Sequence, residues 1–249
     1  MHDGVRSAIA ALGFLTVAPV GRRAAIAERD LRRGMLLFPI VGAMVGGLVG
    51  LVGWGASLLL PPFPAAILAV AAGALITGLL HLDGLADTAD GVGATLSGRE
   101  PRGAMSDPRL GTFGVAAIVL DLSLRIAVLG ALLGGPRFPW ELVAAGALGR
   151  ASVLGLSLAM PYARSAAAAG SWARSVDRPR CLVGLLSGLV VATAAVGARV
   201  VPIGLAGTLA ALAIGRWSSR HLEGMRGDTY GAAIELTESV TLVAALAAR

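Results

Sequence analysis

The sequence predicts an all-α, polytopic integral membrane protein, a helical bundle of about seven transmembrane helices with a short N-terminal interfacial helix. Of its 249 residues, 56% are apolar and only 14% are charged, whereas soluble domains carry about 25% charged residues. Long apolar segments recur along the chain and approach the ~20 residues that a helix needs to cross a bilayer. We find no internal repeat or long linker, so residues 1–249 form one predicted domain.

The first apolar segment, residues 5–18, is too short to cross ~30 Å of hydrocarbon as a helix. Arginines follow it, which favours a retained interfacial or re-entrant helix over a signal peptide. Seven further apolar segments cover residues 35–60, 65–81, 112–134, 139–160, 181–200, 202–219 and 232–248. Gly42, Gly46 and Gly50 recur at i+4 in the first of these, which predicts close approach of another helix.

Positive charge alternates between the connecting loops. Loops 22–33, 82–111, 161–180 and 216–231 hold 15 arginines, while the intervening turns and the C-terminus hold 3. Because cytoplasmic loops are enriched in Lys and Arg, we expect the first set to face the cytoplasm. The pI near 11 does not indicate a nucleic-acid partner, since no basic stripe with interleaved aromatic residues is present.

The most informative motif runs from His81 to Gly91 and contains Asp83, Asp87 and Asp90. Their spacing of i, i+4 and i+7 places the three carboxylates on one face of a helix. No basic residue follows until Arg99, so the carboxylates need another cation among them. Oxygen ligands favour Mg²⁺ or Mn²⁺ over zinc, and we therefore predict a metal site here. His81 is either an interfacial residue or a ligand.

Two more acidic motifs lie on the same predicted side of the membrane, at residues 106–112 and 227–238. Asp107 and Asp228 could each be a turn or N-cap residue before a helix, or part of the site. Glu235 and Glu238 share a helix face inside the last span, where a carboxylate is costly unless it is paired or functional. We expect Glu235 to share the metal of the aspartates and Asp228 to be near enough to accept a proton.

Three charged residues lie deeper, Asp121 and Arg125 in one span and Arg150 in the next. A structural ion pair is the plainer interpretation for Asp121, whereas Arg125 or Arg150 could reach an anionic substrate. Clustered carboxylates with arginines suit Mg²⁺-assisted phosphoryl transfer. No Walker A, G-x-S-x-G or H-E-x-x-H motif competes with this interpretation.

Together these motifs resemble the cobalamin synthases (adenosylcobinamide-GDP ribazoletransferases) along nearly the whole chain. The resemblance rests on residues 81–91, 107–112 and 227–235, supported by Arg33-Gly34, Phe38-Pro39 and Gly42. It implies that a hydroxyl of α-ribazole, or of its 5′-phosphate, attacks the phosphoryl group nearer the corrinoid in adenosylcobinamide-GDP. GMP leaves, Mg²⁺ is the cofactor, and the location is the bacterial cytoplasmic membrane, with the site facing the cytoplasm.

On this interpretation a set of acidic residues is catalytic, and four of them are metal ligands. The catalytic set is Asp83, Asp87, Asp90, Asp228 and Glu235, of which Asp83, Asp87, Asp90 and Glu235 bind the metal. The predicted substrate-binding residues are Arg33, His81, Asp107, Arg109, Arg150 and Glu238. The chain departs from the family at Pro108, Phe113 and the alanine run after Arg164, so the base is assigned among the acidic residues.

Two alternatives belong to other classes. A CDP-alcohol phosphotransferase would need Asp-Gly-x-x-Ala-Arg, but this chain has Ala86-Asp87 at the final pair. A cation-coupled transporter would place its site near the midplane, often between repeated halves, whereas most carboxylates here lie towards one face. The sequence leaves open the lower-ligand base, a homo-oligomeric state, the number of metal ions and the identity of the base.

Overall fold

The computed structural model describes residues 3–19, 27–163 and 177–249, and within them the chain is helical apart from turns and one isolated bridge. The helices are α1 (Asp3–Leu15), α2 (Glu28–Gly34), α3 (Phe38–Ser57), α4 (Pro62–Thr77), α5 (Leu80–Leu96), α6 (Pro101–Met105), α7 (Thr112–Leu132), α8 (Phe138–Ala159), α9 (Arg178–Val196), α10 (Val200–His221) and α11 (Gly227–Ala247). Short 3₁₀ turns precede α3 and join α9 to α10. Arg164 and the alanines after it lie outside the described residues.

Five stretches of the described chain are long and apolar enough to cross a membrane, and the bent pair α4–α5 makes six. One of the five is the 44-residue stretch Arg178–His221, which comprises α9 and α10. Leu185 and Leu189 of α9 line the same cavity as Thr208 and Leu212 of α10, so the two helices fold back on each other. Counted separately, they confirm the expected bundle of about seven apolar helices.

The N-terminal helix is not among the candidate spans, as its 13 residues led us to expect. It packs on α2, where Arg33 Nη1 lies 2.6 Å from Asp3 Oδ2 and Arg6 Nε lies 3.5 Å from Asp30 Oδ2. The Val17 N–H, just after α1, donates to the Ile76 carbonyl near the end of α4 at 2.9 Å. This segment therefore covers the end of the bundle at which α4 terminates.

The short turns meet at the opposite end of the bundle. Arg249 at the C-terminus donates to the Leu132 carbonyl at 2.9 Å and to Glu141 at 2.8 Å, and Arg199 from the α9–α10 turn lies 3.1 Å from Glu141. We call this the distal end, and the end that holds the arginine-rich connections the proximal end. Within the described residues, the arginine-poor turns therefore lie together at one end, and the side of the membrane that each end faces stays a prediction.

Helices α3 and α8 approach each other more closely than any side chain would allow. A Cβ atom built on Gly46 would lie 2.0 Å from the Leu142 carbonyl oxygen, and one on Gly42 would lie 2.1 Å from that of Gly146. Gly146 in turn faces the carbonyl of Gly42 at 2.1 Å. The glycine repeat therefore does what the sequence predicted, which is to let two helix backbones touch inside the membrane.

We expect Gly46→Ala to lower the free energy of unfolding by more than ~2 kcal/mol, since the added methyl meets backbone that cannot move aside. Gly55→Ala on the same helix is the matched control, because a Cβ atom added there would have nothing within 4 Å. Thermal or denaturant unfolding of the two purified variants measures the difference. Equal stability of both would contradict the close contact between α3 and α8.

Candidate active site

A sharp bend creates the helix that carries the acidic motif. Gly78 and Leu79 both have left-handed backbone angles, with φ of 63° and 59°, and α5 leaves α4 at 90°. The Leu79 N–H closes α4 by donating to the Ala74 carbonyl at 2.9 Å. Helix α5 then packs against α6, α7 and α11. The apolar run and the acidic motif, adjacent in sequence, are thus two helices at a right angle.

Asp83, Asp87 and Asp90 lie on α5 as predicted, and they differ in exposure. Asp83 is exposed, whereas Asp87 and Asp90 are partly buried. The Asp90 carboxylate accepts the backbone N–H groups of Gly111 and Gly114, each at 2.8 Å. The N-cap residue of α7 has no side-chain cap of its own. Asp90 therefore caps α7 from a neighbouring helix and fixes α5 against it.

Asp228 joins this group because α11 begins beside α5. A Cβ atom on Gly84 would lie 2.6 Å from the Asp228 carbonyl oxygen and 3.1 Å from its Cα atom. Only a glycine in the acidic motif allows this contact. The negative charges that act most on Asp87 are those of Asp228, Asp83 and Asp90, in that order.

The four aspartates lack cationic partners. Among the ion pairs within the described ranges, none involves Asp83, Asp87, Asp90 or Asp228. The positive charge of Arg226, two residues earlier, acts on Asp228. Within the described residues, these four carboxylates at one end of the bundle form a negatively charged site.

Two residues that the sequence analysis did not single out fix the first turn of α11. Thr229 Oγ1 accepts the Arg226 N–H at 2.8 Å, and the Tyr230 hydroxyl lies 2.9 Å from Ser157 Oγ on α8. Both side chains are buried. The sequence signal that could have identified them was their position directly after Asp228. Buried polar side chains are hydrogen-bonded, and here those bonds hold the turn that carries Asp228.

Deeper in the bundle, Arg125 of α7 binds acidic residues from two helices. Its guanidinium lies 2.9 Å from Asp121 Oδ2 and 2.9 Å from Glu238 Oε2, and it also pairs with Glu235. Arg150 of α8 pairs with the other oxygen of Glu238. The expected structural ion pair of Asp121 is confirmed, and the partner is its i+4 neighbour Arg125.

This network gives Glu235, Glu238 and Arg150 charged protein partners, and the metal and substrate roles that we assigned to them stay predictions. Glu235 is 6% exposed, and the charges acting on it are those of Arg125, Asp121 and Arg150. Helix α11 does pack on α5, but Glu235 has arginine partners where we had predicted a metal ion. Arg150 is 1% exposed and pairs with Glu238, so the pair also has a structural explanation, and the predicted contact with substrate stays a prediction.

The remaining predicted residues lie in varied settings at the proximal end. His81 is 3% exposed, and its Nδ1 has no hydrogen-bond partner within the described ranges. Arg33 is paired with Asp3. Arg109 donates to Asp107 at 2.9 Å, and this hydrogen bond lowers the pKa of the partly exposed Asp107 to about 2. The Arg109 side chain is 87% exposed, so this pair stands at the surface.

The donor chemistry of the aspartate group fits a hard divalent cation, because carboxylate oxygen is the preferred ligand of Mg²⁺. As the side chains stand, no three His, Cys, Asp or Glu residues of the described chain converge closely enough to hold an ion. Asp90 already accepts one N–H at each oxygen. Asp83, Asp87 and Asp228 are the carboxylates left to turn towards a shared cation.

Nearly the whole chain matches one known protein family. The family described as cobalamin-5-phosphate synthase matches residues 7–246. This chain belongs to that family. The resemblance that the acidic motifs suggested is confirmed, and neither the phosphotransferase nor the transporter alternative gains support.

Similar proteins named adenosylcobinamide-GDP ribazoletransferase occur in several bacteria. The relative from Azorhizobium caulinodans is 41% identical, with 95% of this chain and 94% of the relative covered. That from Roseiflexus sp. is 37% identical, covering 93% and 86%, and that from Klebsiella pneumoniae is 35% identical, covering 97% and 100%. No solved structure matches the chain significantly.

We expect Gly84→Ala to reduce the ribazoletransferase reaction for which the relatives are named by ~100-fold, since a shift of about 1 Å can cost that much. The methyl would push the first turn of α11, with Asp228, away from α5. Gly227→Ala is the matched control in the same turn, because its added Cβ meets nothing within 4 Å. A Gly84→Ala enzyme as active as the Gly227→Ala enzyme would show that the contact does not position Asp228.

Proposed function

We propose that the protein is an Mg²⁺-dependent adenosylcobinamide-GDP ribazoletransferase, which transfers phosphoryl-cobinamide to α-ribazole or its 5′-phosphate and releases GMP. Family membership supports the reaction class. The observation that carries the proposal is the group of four aspartates at the proximal end, which leaves Asp87 among three other carboxylates. Such a group suits a cation-bridged diphosphate, and no ion pair among the described residues accounts for it.

In this proposal Asp83, Asp87 and Asp228 hold the metal, and Asp90 holds the site together by capping α7. When bound, Mg²⁺ would neutralise charge on the diphosphate and on the departing GMP. Asp228 is only partly buried, so one of its oxygens can accept the proton of the attacking hydroxyl. Glu235 is left out of the ligand set, because Arg125 binds it.

The substrate phosphates need cationic contacts, and we assign the first of these to Arg226. It is the arginine that acts on Asp228, and its Nε is buried without an acceptor in the described chain. An arginine beside a metal-bound phosphate can form two parallel hydrogen bonds to it. The exposed Arg109 is a second contact, from the loop before α7.

We also propose that the proximal end faces the cytoplasm of a bacterial inner membrane. The arginine-rich loops that define this end support the orientation through the positive-inside rule. A cytoplasmic site also suits the substrates, because a nucleotide-linked corrinoid and α-ribazole, or its 5′-phosphate, are polar compounds.

Asp87→Asn should reduce GMP release from adenosylcobinamide-GDP by at least ~100-fold, because even outer-shell changes at metal sites cost up to about that factor. It should also raise the Mg²⁺ concentration needed for half-maximal rate. Glu28→Gln, an exposed carboxylate at the same end, is the control. Near-normal turnover of the Asp87 variant at low Mg²⁺ would remove this residue from the metal site.

The orientation is testable by single-cysteine labelling in a Cys181→Ser background. Arg99→Cys, in the α5–α6 turn, should resist a membrane-impermeant thiol reagent added to intact spheroplasts and react once the membrane is opened. Arg137→Cys, at the distal end, should react from outside. Labelling of Arg99→Cys in intact spheroplasts would reverse the proposed orientation while leaving the fold unaffected.

A further inference from the structure

Helices α9 and α10 leave a cleft between them on the outer side of the bundle. They join through the turn near Val196 and Val200 but make few contacts elsewhere, whereas both pack on α8. The cleft is walled by Leu185 of α9 and by Leu212 of α10, and its floor is α8. It is a different face of α10 from the one that meets α5, where Trp217 lies beside Gly91.

The lining of this cleft is apolar in effect. Two of its three polar side chains hydrogen-bond to nearby helix backbone: Ser152 donates to the Gly149 carbonyl at 2.6 Å and Thr237 to the Gly207 carbonyl at 3.4 Å. On the rim, Leu189 is 51% exposed and Leu212 is 41% exposed. In a membrane protein these side chains face hydrocarbon, so the cleft opens sideways into the bilayer.

Arginines stand where the cleft reaches the proximal end. Arg178 precedes Leu185 by seven residues, two helical turns, and therefore lies on the same side of α9. Arg216 and Arg220 continue the i, i+4 row of Thr208 and Leu212 on α10. All three are exposed, and none forms an ion pair with another described residue. Arg178 and Arg220 rise about 10–12 Å above the leucine walls, at 1.5 Å per residue.

We propose that this cleft is a binding site for one anionic phospholipid of the surrounding bilayer. An acyl chain fills the apolar slot between α9 and α10, and the phosphate of the headgroup meets Arg178, Arg216 and Arg220. Basic residues at the mouth of a pocket between membrane helices are the arrangement that recognises anionic lipid headgroups. The site is separate from the aspartate group and does not depend on the proposed reaction.

Charge argues against a second copy of the chain as the occupant. A two-fold contact through this cleft would bring the same surface of both copies together. The three rim arginines of one copy would then face those of the other, with no acidic side chain of the described rim between them except Asp177, which is paired with Arg180. The headgroup of an anionic lipid would instead neutralise these three arginines.

The test uses purified full-length protein in detergent, with phosphatidylglycerol or phosphatidylcholine added. Native mass spectrometry should show one retained phosphatidylglycerol, and this lipid should raise Tm by ~5 °C, since a ligand that binds only the folded state stabilises it. Phosphatidylcholine should be retained less and protect less. Equal retention and protection by the two lipids would overturn selectivity for an anionic headgroup.

Variants locate the site in two independent ways. Gly155→Leu should block the slot with its side chain, because a Cβ atom at this position would have only Leu185 of the described chain within 4 Å, at 3.9 Å, and so has room to project into the cleft. Arg178→Gln or Arg216→Gln should weaken the contact with the headgroup. Each should abolish most of the Tm shift. Arg99→Gln removes the same charge at the same end away from the cleft and should retain the shift.

Three outcomes would overturn the proposal. Full retention of phosphatidylglycerol in both arginine variants would place the lipid elsewhere. A dimer that Gly155→Leu dissociates would identify a second copy as the occupant. Loss of the shift in Arg99→Gln to the same extent as in Arg178→Gln would show that only the overall positive charge attracts the lipid.

Discussion

The interior of this bundle depends on one guanidinium. Arg125 binds Asp121 on its own helix and both Glu235 and Glu238 on α11. A carboxylate left alone in hydrocarbon is so costly that the two glutamates cannot enter the membrane without such a partner. Removing one member of a buried charge pair typically costs ~3–5 kcal/mol, because the other charge remains buried. The same contacts fix the rotation and depth of α11.

That rotation determines the site at the proximal end. Asp228 is two turns before Glu235 on the same helix, so the network that holds Glu235 also aims the first turn of α11. Gly84 then lets this turn touch α5, and Asp90 ties α5 to the start of α7. A structural ion network in the membrane and an acidic group at its surface are therefore two ends of one arrangement of α5, α7 and α11.

The sequence predicted the helical class, the apolar segments, the placement of Asp83, Asp87 and Asp90 on one helix and the glycine contact, because each follows from local periodicity. It did not predict the bend at Gly78–Leu79, since an apolar run continuing to residue 81 carries no helix-breaking proline. The last helix begins at Gly227, before the apolar segment expected from residue 232. It can begin there because the polar side chains of Thr229 and Tyr230 in its first turn form hydrogen bonds inside the fold. It also did not predict that Glu235 pairs with Arg125. That contact depends on how α7 packs on α11, and the spacing of residues within one segment carries no information about packing between segments.

The distribution of charges among α7, α8 and α11 also sets an order for biogenesis. Helix α7 carries its own counter-ion, since Asp121 and Arg125 are one turn apart and can enter the translocon as a neutral pair. Helix α8 brings Arg150 with no acid at its own depth, and its partner Glu238 enters only with α11. The nascent chain therefore carries Arg150 without this partner from the insertion of α8 until α11 packs beside it.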